Sequence, residues 1–434
     1  MNPVRVLCLT SLSVLLCVCA RADQNPDLKA LTEENKQLRE RLERLEGELG
    51  KIKALLNERA AVPTTAATVS TGKKPVVAGL DVELYGYVKL DAAHDSSVAS
   101  IGNYARWAES RGAANQHDEF SMTANQTRLG LRIKGPESKT VETAGLIEVD
   151  FYGGGTENKP NPMMRHAYLT AFWPDLQLQL LAGQTFDTIS PLWTPTLNYT
   201  VGWWQGDIGY RRPQLRLTET LKPADKVEVK LEAAAARTMS GRLTGTASYG
   251  DTGQESGIPT FQGRASVSFP LLTDKPTVFG VSGHFGQERF NGGKRIDSFS
   301  INADLTLPIT KWLALQAEAF FGQDLDTYNG GIAQGVNTTT MKAIHSQGGW
   351  FAFALTPSPK WLFNVGAAID DPRDGDLPVA ATSRTYNSVA FGNATYFFTP
   401  NFSLGVELSY LHTGYKTMKD GEDFREQLSV IYKF

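Results

Sequence analysis

Cysteine is nearly missing from this 434-residue chain, and the three present, Cys8, Cys17 and Cys19, all fall at its start. They lie in or beside an apolar run from Val6 to Val18, which follows Arg5 and leads into Ala20-Arg21-Ala22, the small-x-small form that a signal peptidase reads. The expectation is a secretory signal over residues 1–22. A membrane anchor would need about 20 apolar residues, and a lipoprotein would set Leu16 or Val18 where a small residue is required. Without the signal the chain has no cysteine, which excludes disulfides, thiol catalysis and cysteine-held metals.

Long apolar runs are also absent beyond the signal, so no helix of this chain is expected to cross a membrane. Histidine is scarce: the six, His94, His117, His166, His284, His345 and His412, are scattered without metal-ligand spacing, and no Gly-x-Ser-x-Gly elbow occurs. An enzyme is therefore the weaker reading, and no metal or cofactor is expected. Neither sign of charge dominates. Of 43 basic residues the signal removes Arg5 and Arg21, leaving 41 against 46 acidic ones, a formal charge of −5 that offers nothing to nucleic acid.

What is present begins with a heptad seam. Leu28, Leu31, Asn35, Leu38, Leu42, Leu45, Leu49, Ile52 and Leu56 alternate spacings of three and four. In a parallel assembly the flanking positions pair Glu34 with Arg39, Arg41 with Glu46, and Glu48 with Lys53, all opposite in sign, so residues 23–59 are expected to form a parallel coiled coil. The seam leaves two strands against three open. Residues 60–81 carry a low-complexity Thr/Ala/Pro stretch with no apolar period and are expected to be a flexible linker.

From there the period becomes 2. Leu129, Leu131 and Ile133 alternate with Arg128, Gly130 and Arg132; Ile301, Ala303, Leu305 and Leu307 with Asn302, Asp304 and Thr306; Phe402, Leu404, Val406 and Leu408 with Ser403, Gly405 and Glu407. Seven short turns, most with proline, fall at 135–139, 173–175, 222–225, 270–276, 308–311, 357–360 and 399–401. Between them lie eight mostly longer polar segments, near 94–126, 153–163, 186–208, 239–259, 289–295, 324–344, 371–385 and 413–424. Seven turns and eight loops join sixteen strands. Aromatic residues flank the turns (Trp173, Phe269, Trp312, Trp361, Phe397, Phe398), as at a membrane interface. The expected fold over 82–434 is all-β: a 16-stranded antiparallel transmembrane β-barrel, its short turns periplasmic and its long loops external. A soluble propeller or sandwich predicts neither the short and long alternation nor the aromatic girdle.

The final segment, Leu428-Ser-Val430-Ile-Tyr432-Lys-Phe434, places apolar residues at alternate positions and finishes on phenylalanine, like the assembly signal of outer-membrane barrels. With the signal, heptads, linker and strand count, it makes the chain resemble the trimeric outer-membrane porins of the coiled-coil-bearing, dicarboxylate-channel (DcaP-like) kind. The resemblance implies a homotrimer passing small hydrophilic solutes, and a long loop after the fifth strand, here Phe186 to Asp207 with Asp187, folded inward to narrow the pore.

With Leu215 and Leu217 facing lipid, parity puts Arg212, Gln214 and Arg216 in the lumen, together with Lys89, Arg128, Arg132, Glu148 and Asp150, whereas Arg165 shares the parity of Ala167 and Leu169 and is expected at the outer rim. Arginines facing an acidic loop would make a transverse field, and the planar guanidinium suits carboxylates, so small anions such as carboxylates are the expected preference. The other role open to these arginines is bracing the wall. A second reading makes the barrel an anchor or adhesive protein whose coiled coil does the work, toward a partner in the periplasm; a barrel hydrolase is the third.

The heptads yield a test that stands apart from the barrel. Residues 23–60 alone should form a helical oligomer by sedimentation, and Asn35→Leu should raise its stability while loosening the choice of oligomer. A monomer at high concentration would exclude the parallel assembly.

Overall fold

A computed structural model describes residues 76–77, 80–112, 116–136, 138–156, 159–239, 253–290 and 293–434. The expected signal, the coiled coil and most of the linker lie outside the described residues.

Sixteen antiparallel strands form one closed barrel. They are β1 (Leu80–Asp95), β2 in two pieces (Glu119–Thr123 and Arg128–Lys134), β3 (Glu142–Asp150), β4 (Met163–Trp173), β5 (Leu178–Phe186), β6 (Arg211–Ala224), β7 (Val227–Ala236), β8 (Thr260–Pro270) and β9 (Pro276–Phe290). β10 (Lys294–Pro308), β11 (Leu313–Gln323), β12 (His345–Ser358), β13 (Trp361–Pro372), β14 (Arg384–Phe397), β15 (Phe402–Tyr415) and β16 (Gly421–Lys433) complete the set. Each pairs with its neighbours in sequence, and β16 pairs with β1 from Tyr87↔Lys433 to Asp95↔Arg425. Phe434 adds a last rung, exchanging two backbone hydrogen bonds of 3.1 Å with Gly86. A Cβ at Gly86 would lie 2.1 Å from the Arg128 carbonyl oxygen, so only glycine lets β1 run between β2 and the end of β16.

Turns and loops alternate between the described strands as expected, except that Glu119–Thr123, inside the segment expected as the first loop, is strand; of the segments 239–259 and 289–295 only the flanks are among the described residues. No helix among the described residues is long and apolar enough to cross a membrane, which says nothing of strands. The side chains sort as period 2 dictates. On β10, Ile301 is 67% exposed on the outer face and Asn302 only 6% exposed on the inner one. Leu84, Leu131, Leu169, Leu215, Phe279, Phe351, Val365 and Leu408 continue the apolar outer surface, while Ser300, Asp304, Glu318, Glu407 and Gln427 point inward. Trp312, Trp361 and Phe398 are exposed at the turn end, Trp361 stacked on Phe363 with centroids 5.3 Å apart.

Three loops fill part of the bore. Residues of the first loop, Ala99, Ala105 and Ala108, pack on Trp350, Ala352, Ala368, Val389, Phe391 and Leu411, an apolar patch on the inner face of β12 to β15. The loop after β5 and the loop after β11 meet around Ile189, Ile208, Phe320, Leu325 and Tyr328. Inward folding was expected of the loop after β5 alone.

Arg165 is a correction. It stands inside the barrel, 4% exposed, not at the outer rim. The β3–β4 register runs Glu148↔His166 and then Val149↔Met164, so Arg165 is the extra residue of a β-bulge that reverses parity at this point. Its Nε lies 2.8 Å from Glu148 Oε1 and one terminal nitrogen 2.7 Å from Asp150 Oδ2.

Removing one partner of such a buried pair costs about 3 to 5 kcal/mol, because the remaining charge is stranded. Arg165→Gln should therefore lower the urea midpoint of the barrel in vesicles far more than Arg132→Gln, whose side chain is half exposed. Equal midpoints would show that Glu148 and Asp150 do not depend on Arg165.

Candidate functional site

The loop between β5 and β6, residues 187–210, crosses the bore. Its neck is tied by Asp187 N–H to the Tyr210 carbonyl, 2.8 Å. Along its length, Ser282 of β9 donates to the Ile189 carbonyl (2.9 Å), Leu192 N–H donates to Glu318 of β11 (2.9 Å), and Asn393 of β14 donates to the Pro195 carbonyl (2.8 Å). Lys89 of β1 and Gln427 of β16 both donate to the Leu197 carbonyl (2.9 and 3.0 Å), and the Tyr199 hydroxyl donates to Asp150 of β3 (3.2 Å). Anchors on six strands hold this segment across the lumen.

Its acids do not face the lumen. Asp187 is buried against Arg212, whose Nε lies 2.8 Å away. Asp207 is fully buried and accepts from the Ser190 hydroxyl (3.2 Å) and Thr194 N–H (3.4 Å). Burial, with the Glu318 charge nearby, raises the Asp207 carboxyl well above its ordinary range. An acidic loop opposed to an arginine row is thus not the arrangement found.

Most of the expected site residues are ion-paired on the wall. Arg128 Nε lies 3.5 Å from Glu148, which with Asp150 also holds Arg165. Arg216 lies 3.5 Å from Glu232, which in turn meets Arg264 at 3.4 Å, and Arg264 binds Asp304 at 2.7 Å. Arg212 is wholly buried between Asp187 and the Tyr328 ring, 3.9 Å from its centroid. Gln214 is buried and donates to the carbonyls of Thr185 (3.1 Å) and Phe186 (3.0 Å). Lys89 is buried on Asp91 at 3.1 Å. Arg132 stands apart toward the turn end, its guanidinium over the Tyr85 ring at 3.7 Å. Arg212, Asp187, Gln214 and Lys89 thus brace the wall and the neck of the loop, while Arg128, Arg132 and Arg216 keep solvent-facing surface.

Exposure within the Arg128 and Glu148 pair is unequal. The Arg128 side chain keeps 21% of its surface and Glu148 only 7%, so the cation shows its face while the anion lies behind it.

Sequence reading missed several members. Glu232 and Arg264 share the inward parity of their strands and could have been found by it. Arg165 is hidden by the bulge. The cluster of Tyr104, Tyr152 and Tyr199, with Tyr152 and Tyr199 stacked at 3.7 Å, joins three loops far apart in the chain. Arg106 and Arg384, both over the Trp107 ring at 4.2 and 4.1 Å, are likewise brought together only by folding. Among the described residues, Arg106, Arg211 and Arg384 have no carboxylate within ion-pair distance.

No protein-family profile matches the chain, and no curated protein matches it by sequence. Solved structures do resemble it. The outer membrane channel DcaP of Acinetobacter baumannii superposes with a TM-score of 0.69 at 21% identity, over 82% of this chain and 98% of that one. An anion-selective porin from Comamonas acidovorans gives 0.54 at 11% identity (82% and 100%), and Salmonella typhi OmpF gives 0.51 at 13% (82% and 98%). At these identities the likeness is one of fold, and the fold is that of outer-membrane channels.

Proposed function

We propose that the chain is a passive diffusion channel of a bacterial outer membrane, exported by the signal at 1–22, that admits small hydrophilic solutes and favours small anions such as carboxylates. The observation that carries this reading is a closed barrel, apolar outside and polar within, whose lumen is narrowed by residues 187–210 beside wall arginines that keep exposed surface. Arg128 is more exposed than Glu148, and Arg132 is exposed over Tyr85. Arginine suits this task because its planar fork accepts a carboxylate in two hydrogen bonds and keeps its charge at any physiological pH. The local field, not the net charge of −5, governs a narrow pore. The solved anion-selective porin of the same fold agrees with this reading. The coiled coil at 23–59 would join three chains and reach into the periplasm from the turn end, where it could also meet a partner. A hydrolase is the weaker reading, because the chain has no Gly-x-Ser-x-Gly elbow and the hydroxyls that meet a histidine, Ser298 and Ser300 at His284 and Thr185 at His166, are buried in the wall.

Conductance in a planar bilayer tests the channel, and reversal potentials in a salt gradient test its preference. A unit charge about 7 Å from the axis acts with about 0.6 kcal/mol in a water-like medium, or about three-fold in permeability. Arg128→Gln with Arg216→Gln should therefore lower anion permeability by about an order of magnitude and the anion-to-cation ratio by more than that, while Arg212→Gln should loosen the barrel and leave that ratio near the parent's. An unchanged ratio in the double variant would make all these arginines braces. For orientation, a cysteine at Asp225 in the β6–β7 turn should resist an impermeant label on intact cells, and one at Thr252 should react; labelling at Asp225 would reverse the topology.

A further inference from the structure

Where β9 ends and the loop after β11 begins, three carboxylates converge. Glu288 is buried on the inner wall, Asp324 directly follows β11, and Asp326 opens a short helical turn. One oxygen from each lies within 4.8 Å of the others. Asp324 is 1% exposed, and neither of its carboxylate oxygens has a hydrogen-bond partner. Asp326 Oδ1 accepts one bond, from the Thr327 backbone N–H at 2.8 Å. Among the described residues no lysine or arginine reaches Asp324 or Asp326 within ion-pair distance, and Arg212, close by, already holds Asp187. Burial raises both carboxyls above their ordinary range, and at Asp324 the Asp326 charge adds to the rise.

An unpaired buried carboxylate costs several kcal/mol, and acids that share one pocket repel as well. A hard cation removes both penalties. The set suits one: three carboxylate oxygens within 4.8 Å of one another can share a hard cation, and calcium accepts all-oxygen protein ligands in flexible geometry, whereas magnesium keeps several of its waters. The returning arm of the loop closes over the acids with Gly335, where a Cβ would lie 2.4 Å from Asp326 Oδ1 and 2.5 Å from Asp324 Oδ1. The backbone passes this closely because no side chain intervenes.

We propose that Glu288, Asp324 and Asp326 bind a divalent cation of the calcium kind, fastening the loop after β11 to the barrel wall. Scattered histidines and absent cysteines give no sign of such a site in the sequence, since its three acids come from two segments and meet only in the closed barrel. The site bears on the pore. Two residues beyond Asp326, Tyr328 carries the Arg212 guanidinium on its ring, its carbonyl accepts from Gly209 N–H at 2.7 Å, and the Asn329 carbonyl accepts from Trp204 N–H at 2.7 Å. An ion here therefore fixes the segment against which residues 204–209 of the constriction rest.

The test uses the full-length protein in detergent, stripped with EGTA and titrated with calcium chloride by calorimetry and thermal unfolding. The parent should bind calcium at one site per chain and unfold at higher temperature as calcium rises, the native state gaining about a hundred-fold at one hundred times the dissociation constant. Asp324→Asn removes a ligand and a repulsion together. It should weaken binding at least ten-fold, yet in EGTA unfold no earlier than the parent, a crossover that a merely damaged fold would not give. If Asp324→Asn does not fold, Glu288→Gln on the preformed wall serves in its place, with the same loss of calcium response expected. In bilayers, EGTA should raise open-channel noise in the parent and not in the variant. A parent indifferent to calcium, or a calcium response that the variants keep, would overturn the proposal.

Discussion

A sheet with an apolar outer surface in lipid leaves no water for an unpaired backbone group, so it must have no edge. The rest of this structure follows from that closure. It is met at one seam, where β16 lies along β1 and Phe434 shares its last two backbone hydrogen bonds with Gly86. Once the ring is closed, period 2 assigns every residue to lipid or to lumen, and apolar residues lose the core in which a soluble protein would bury them. Leu84, Ile301 and Leu215 face outward, and the interior is largely Asp, Glu, Arg, Ser and Asn, apart from the apolar patch of β12 to β15 under the first loop.

An interior of that kind sets its own problem, since each buried charge must find a partner. The wall answers with chains of alternating sign that run from strand to strand: Arg128, Glu148, Arg165 and Asp150 on β2 to β4, and Arg216, Glu232, Arg264 and Asp304 on β6, β7, β8 and, across β9, β10. Such chains are stiff because each inner member has two neighbours to satisfy. The members sunk deepest brace the wall, while Arg128 and Arg216 keep some solvent-facing surface, as Arg132 does outside these chains.

How much of this could be read in the sequence follows from which contacts are local. Strands, turns and loops depend on residues two to ten apart, and all sixteen strands were legible, as were the inward positions of Arg212, Gln214, Glu148 and Asp150. Arg165 was not, because one bulged residue reverses parity without leaving a mark in the pattern. The direction in which Asp187 and Asp207 turn was not legible either, since it depends on Arg212 and Ser190 being within reach. The inward folding of the first loop rests on Val389, Phe391 and Leu411, apolar residues at lumen-facing places, and parity alone gave no reason to ask what covers them.

The bore is therefore set by segments that hold one another. Tyr328, from the loop after β11, stacks on His284 of β9 at 4.0 Å on one side and carries Arg212 of β6 at 3.9 Å. Arg212 holds Asp187, which accepts Tyr210 N–H at 2.9 Å and so fixes both ends of the constriction. Trp204 and Gln205 lean on the first loop and on β14 through Arg106 and Asn387. Because each contact shares a residue with the next, substitutions along this path will not add as independent terms, and a change at Tyr328 acts on the pore through Arg212 and Asp187 without itself touching a solute. A rigid constriction needs such sharing. A loop fixed only at its two ends would leave the bore to fluctuate, and a bore that fluctuates cannot hold its wall charges at the distances on which discrimination between ions depends.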